Sequence, residues 1–328
     1  MASSKPLSPP LVVHGDIVEK FKALKDTING RYNRCLLVQY TYEYSRSVES
    51  KDMFLRAFFD TMPVTLDGNE DIDFSNKNLE QQLREAFIDF ADYLLDNFFF
   101  PLKSAGKKTP RSSPAPHSTF DLKEAATRIQ KNGDSARDDD GALLKDDLQA
   151  FETLEVAHIL PHSLIQIKGG SELTQTKEAA IAILNMFDSG VAHVIEGCEI
   201  DRSFNAISLT PTLHSLFGDF QIFFEPVSTE LPLTYTISSY LSPLLLRDPK
   251  LPVTREVYLS EDISIDPPLP RLLAIHSAIV HILHLSAAGE YIDRLLRDQE
   301  QIGPKADGST ELGRLIKLRL SGWITGVV

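Results

Sequence analysis

The sequence predicts an α+β protein in which a small strand–strand–helix–strand unit sits between two mainly helical regions. Three observations carry this. Apolar residues recur at helical spacing towards both ends, as Ile17, Phe21, Leu24 and Ile28 do near the start. In the middle, short apolar runs such as 154–159 (LEVAHI) and 206–209 (AISL) are bounded by turn residues, which suits strands. Two prolines punctuate the unit: Pro211 opens a helix, where its missing N–H costs little, and Pro226 halts a strand.

Taken in order, the chain is helical from Asp16 to about Met62, with Phe54, Ala57 and Phe58 repeating one face. Pro63 and Gly68 break the pattern. A further helix runs from Leu79 to Phe98 with Leu83, Phe87, Phe90, Leu94 and Leu95 on its apolar face, and Phe98, Phe99 and Phe100 read as packing surface. Residues 1–102 form this mainly helical N-terminal region. Residues 103–118 (KSAGKKTPRSSPAPHS) have little to bury and read as a linker, its Lys107, Lys108 and Arg111 solvated. A third region, residues 119–228, starts with a short helix ended by Gly133 and an acidic turn. Asp138, Asp139 and Asp140 in that turn lack the alternating spacing of a calcium loop.

Within 119–228 the elements are a strand at 154–159, a helix at 172–187 and a short strand at 191–195. A strand at 206–209, a helix from Pro211 and a strand at 220–226 follow. Residues 229–328 are Pro-rich at first and then mainly helical. One helix spans about 271–297 and carries His276, His281 and His284, which read as ordinary helix residues. A last amphipathic helix, 311–320, has a basic side made of Arg314, Lys317 and Arg319.

Charge limits the possible partners. The formal net charge is -13, so any contact with a phosphate backbone needs a local basic patch or a metal ion to offset the average. Cys35 and Cys198 are far apart and neither belongs to a Cys-x-x-Cys pair, which disfavours a zinc knuckle or a disulfide framework and fits a reducing compartment. The first residues, MASSKPLSPPLVVHGD, hold no long apolar segment, and no run reaches the roughly 18 apolar residues of a spanning helix. A soluble intracellular protein, nuclear or cytoplasmic, without signal peptide or membrane anchor, is the expectation.

Three residues line up as a possible hydrolytic set: His158 ends one strand, Asn205 enters the next, and His214 lies on the helix directly after it. An imidazole titrates near neutrality and can take a proton from water. A second imidazole can hold a divalent metal that polarises a phosphate. The asparagine has two possible jobs, binding metal through its carbonyl oxygen or holding the histidine's loop through its amide.

The segments EVAHILPHSL, IDRSFNAISLT and LHSLFGDFQIFFEP, in that order, resemble the HNH endonuclease family, in particular a branch abundant in fungal proteins with an Ala-His-Ile motif and a terminal His-x-x-Phe. The resemblance spans about 122–226 and implies a ββα-metal unit, two antiparallel strands packed on a helix around one ion. It implies that His158 is the general base, that Asn205 orients the loop or approaches the metal, and that His214 is a metal ligand. Many members carry Asp, Glu or His directly before the first histidine as a further ligand, where this chain has Ala157. Glu155, Asp219, His162 and His193 are the candidates to take that place, and His158 could itself be the ligand. The implied cofactor is Mg²⁺, Mn²⁺, Ni²⁺ or Zn²⁺, and the implied partner is nucleic acid, DNA first. The expected function is metal-dependent hydrolysis of phosphodiester bonds. The alternative is a catalytically silent HNH fold that binds nucleic acid or protein.

Overall fold

Polar caps start the helices of the N-terminal region. In the computed structural model, which describes residues 32–64, 75–106, 154–164, 175–231, 233–242, 251–256 and 266–302, the Asn33 side chain accepts the amide of Leu36 at 2.9 Å and opens α1 (Arg34–Glu43). Ser47 accepts the amide of Ser50 at 3.1 Å and opens α2 (Val48–Thr61), and Asn76 caps α3 (Lys77–Leu94). A π-helical turn, Leu95–Phe99, follows, and then α4 (Phe100–Gly106). The remaining helices are α5 (Gln175–Phe187), α6 (Val191–Val194), α7 (Pro211–Gly218), α8 (Pro270–Leu285) and α9 (Ala288–Ile302). The strands are β1 (Glu155–His158), β2 (Ala206–Leu209), β3 (Ile222–Pro226), β4 (Thr234–Ser239) and β5 (Val253–Glu256). The protein is therefore α+β.

Two compact units divide these elements. The described residues of the first fall in 1–100, 175–192 and 282–303. Its core is aromatic. Phe58 meets Phe87 and Phe90 edge-on, with centroids 5.8 and 5.3 Å apart, and Phe98 lies 5.4 Å from Phe187. The expected apolar face of α3 is buried as read, and so is the Phe98–Phe100 run. At the rim, the Asp92 carboxylate accepts from the Tyr32 hydroxyl at 2.6 Å and from Arg34 Nε at 3.1 Å.

The described residues of the second unit fall in 101–174 and 193–281. β1 and β2 pair antiparallel, with Glu155 opposite Leu209 and His158 opposite Ala206. β3, β4 and β5 make a separate antiparallel sheet in that order. Helix α7 packs against β1, β2 and β3. Its C-terminus closes with paired bonds from Gln221 N–H to Leu216 O and from Phe220 N–H to Phe217 O. That closure puts Phe220 at φ 55°, a left-handed position usually given to glycine. Phe220 offsets the strain with its ring, which is buried and stacks 4.8 Å from His276. The buried Lys103 on α4 donates to the Asp219 carbonyl at 2.8 Å, a cation on the carbonyl end of α7.

The structure departs from the sequence reading in four places, one of which is that the single helix read over about 271–297 is two, α8 and α9, with Ala287 at φ 58° between them. Residues 191–194 are helical, not a strand: four residues are too few to show a period. The amides of Val191 and Ala192 are taken by the Asp188 carbonyl and the Asn185 side chain, which turns the chain there. The C-terminal region contributes β4 and β5, because TYTISS alternates buried and half-buried residues and pairs with β3. The chain is still helical at 103–106, with Lys103 and Ser104 buried, where the linker was expected to begin. The expected helix around Ile17–Ile28, the rest of the linker, the helix ending at Gly133, the acidic turn at Asp138–Asp140 and the helix at 311–320 lie outside the described residues.

His276 on α8 is fully buried, stacked 3.8 Å from the Phe217 ring, and its Nε2–H donates to the Phe217 carbonyl at 3.1 Å. Burial pushes this imidazole down to about 3 from its ordinary 6.5, against the pull of that carbonyl. The folded state thus holds the ring neutral while the unfolded chain protonates it, so its contribution to stability is full above about pH 6.5 and is lost as pH falls towards 3. Relative to a His276→Phe variant, the wild type should lose about 3 kcal/mol of unfolding free energy between pH 7 and pH 4, at roughly 1.4 kcal/mol per pH unit. Urea titrations of the two proteins at both pH values measure this.

Candidate functional site

The site begins with the pairing of two four-residue strands. Because side chains alternate along β1, Glu155 and Ala157 face one way and Val156 and His158 the other. Ala157 is buried opposite Ile207, so a methyl group occupies the position beside His158 where the family resemblance implies a ligand.

Asn205 is fully buried where β2 begins, and its amide is committed to backbone. Its Oδ1 accepts the Leu160 N–H at 2.9 Å, and its Nδ2 donates to the carbonyls of Leu160 at 3.0 Å and Ile200 at 2.7 Å. Its own carbonyl accepts the Ile159 N–H at 2.9 Å. Of the two jobs open to this residue, these bonds perform the second: they hold the loop that follows His158. Both N–H groups of the amide are used, and the satisfied side chain is what makes its burial tolerable.

His214 lies in the middle of α7, with its side chain 15% exposed. Its Nδ1 is 2.8 Å from Glu155 Oε2 on β1. An ionised carboxylate can only accept, so Nδ1 carries the proton and a neutral ring keeps its lone pair on Nε2. Imidazole nitrogens held this way are those that ligate metals, oriented by the carboxylate behind them. The Glu155–His214 pair thus provides an imidazole nitrogen and a half-exposed carboxylate, donors that suit a first-row divalent ion whose other positions water and phosphate oxygens can fill. Among the described residues, no group of three or more His, Cys, Asp or Glu is arranged to hold a metal by itself. Asp219 caps the far end of α7, five residues and roughly 140° around the helix from His214.

His158 collects a different set. Its Nε2 is buried, makes no hydrogen bond, and lies 3.4 Å from Asp201 Oδ1. The same oxygen accepts from His162 Nδ1 at 2.6 Å. Burial raises the Asp201 carboxyl, but the nearby imidazoles of His158 and His162 outweigh it and hold the group well below the usual carboxylate range. His162 therefore serves Asp201. His193 is far more exposed and sits 3.3 Å from Glu196. Sequence reading missed Asp201. The signal available was its place four residues before Asn205, at the foot of the strand that pairs with His158.

The C-terminal histidines also separate by role. His276 is the buried stacking residue, while His281 accepts or donates through Nδ1 to the Tyr240 hydroxyl at 2.5 Å and faces Glu225 at 3.5 Å. That last carboxylate comes from β3 and was invisible along the helix alone.

Replacing Asn205 by Ala leaves the Leu160 N–H and the Leu160 and Ile200 carbonyls unpaired in the interior. The expected loss is about 2–4 kcal/mol of unfolding free energy, measurable by denaturant titration.

Compared with models of known protein families, residues 133–225 match HNH endonuclease, a little under a third of the chain. No curated protein and no solved structure gave a significant match.

Proposed function

We propose that the chain, whose residues 133–225 match the HNH endonuclease family, is a metal-dependent endonuclease that hydrolyses phosphodiester bonds in DNA. The family match carries a nuclease-type function with nucleic acid as its substrate. The observation that best supports catalysis is the separation of roles within one small unit: His158 has a buried ring nitrogen facing a carboxylate, and His214 has its Nδ1 fixed by Glu155.

In this reading His158 takes a proton from water as the oxygen attacks phosphorus. The new P–O bond forms as the bond to the leaving ester oxygen breaks, and that oxygen then takes a proton from solvent. His214 Nε2 would hold the ion, with Glu155 orienting the ring, and Asp219 remains a weaker candidate for that role. A bound divalent ion supplies positive charge at the phosphate and at the leaving oxygen. That charge also answers the net charge of -13, which otherwise opposes a polyanion. Asn205 acts through the loop it holds. We place this activity inside the cell, nuclear or cytoplasmic, on the same cysteine usage. Among the described residues no single helix is long and apolar enough to cross a membrane.

One observation favours the silent alternative, an HNH fold that only binds: the buried methyl of Ala157. Plasmid nicking separates the two readings. With Mg²⁺, Mn²⁺, Ni²⁺ or Zn²⁺, the wild type should nick supercoiled DNA, and a chelator should abolish it. His158→Ala and His214→Ala should each lose about 100-fold or more. Equal nicking by all three proteins contradicts the catalytic assignment, and DNA binding without nicking supports the silent fold.

A further inference from the structure

We infer that Asp201 is the positioning residue for His158, fixing its tautomer so that Nδ1 is the nitrogen left open to the proton of water. This deepens the nuclease reading and rests on His158 being its base.

The starting point is a buried nitrogen. His158 Nε2 is shielded from solvent, makes no short hydrogen bond, and lies 3.4 Å from Asp201 Oδ1. A neutral imidazole carries one N–H. Placing the lone pair on Nε2 would set it against an anionic oxygen, and placing the hydrogen there aims a donor at an acceptor. Closing the separation to an ordinary hydrogen bond takes about half an ångström of ring movement. The carboxylate side is already fixed: Asp201 is 14% exposed, and His162 donates to the same Oδ1 at 2.6 Å.

The backbone fixes the spacing. Asn205 bonds the Leu160 N–H and carbonyl on the loop that follows His158, and through the same amide it bonds the carbonyl of Ile200, the residue before Asp201. One side chain therefore sets the distance between the imidazole and the carboxylate. The His158↔Ala206 register brings the end of β1 beside the turns, Gly197–Asp201 and Ser203–Asn205, that carry both. An acid that holds one imidazole nitrogen and leaves the other for chemistry is how a positioned histidine gains the right tautomer. His162 acts one step further back, holding the acid.

The test uses the full chain labelled with ¹⁵N-histidine and long-range ¹H–¹⁵N correlation spectra of the wild type, Asp201→Asn and His162→Gln. In the wild type, His158 should show a protonated Nε2 and an unprotonated Nδ1 when neutral. In Asp201→Asn the preference should be lost, with His214 and His276 signals unchanged as the check on folding. Nicking should fall about tenfold or more, and Asp201→Glu should restore part of the tautomer preference. His162→Gln should produce the same change in smaller degree, and it decides the question if Asp201→Asn does not fold. An unchanged His158 tautomer in a folded Asp201→Asn or His162→Gln protein overturns the inference even if the wild type nicks DNA. A wild type that nicks no DNA but shows the Asp201-dependent tautomer keeps the positioning and removes the nuclease reading.

Discussion

A primary amide cannot be buried cheaply unless its oxygen and both its N–H groups find partners, and Asn205 meets that condition with backbone alone. Those partners lie on either side of the chemistry. Leu160 follows His158, and Ile200 precedes Asp201. The bonds therefore do more than satisfy a polar group, because they fix where an imidazole and a carboxylate end up. β1 and β2 are only four residues each, too short to hold such a geometry unaided. Asn205 ties the end of one to the start of the other through side chain and main chain together.

From that clamp the unit builds outward. Helix α7 follows β2 after a single residue, Thr210, with Pro211 at its first turn, so His214 comes within reach of Glu155 across the strand pair. The other end of α7 is held by the strained Phe220 turn, the Lys103 ammonium on the Asp219 carbonyl and the His276 ring against Phe217. Charge explains why this rigidity matters for a polyanionic substrate. Arg202, near the site in sequence, lies within ion-pair distance of Glu199 and Asp266, and the carboxylates of Glu155 and Asp201 each face a histidine. In the proposed reaction the charge that meets phosphate comes largely from an ion, and the protein's part is to aim its imidazoles.

Much of this was legible in the sequence where period and punctuation agree. β2 was read at its observed bounds, β1 to within a residue at each end, and α7 from its proline. The apolar face of α3 was legible because helical period survives over many turns. Residues 191–194 misled because a four-residue segment shows no period. β4 and β5 were hidden among prolines, and their pairing with β3 is a tertiary fact. The candidate histidines were found by type and order, yet their partners were not. Asp201 looks like any acid in a turn, and the contact of Glu155 with the Nδ1 of His214 is not written along the chain. Partnership between side chains 39 to 59 residues apart is decided by strand register and loop closure, which no local pattern encodes.

The central claim is that a divalent ion is held through His214, on the nitrogen that Glu155 leaves open. Titrating Mn²⁺ into ¹⁵N-histidine-labelled protein tests it without any need for turnover, because a paramagnetic ion broadens the signals of rings close to it. The His214 ring should broaden first, at substoichiometric Mn²⁺, with Glu155→Gln requiring more ion for the same loss, while buried His276 stays sharp. Equal broadening across all the histidines, or a His214 signal that survives excess Mn²⁺, contradicts it.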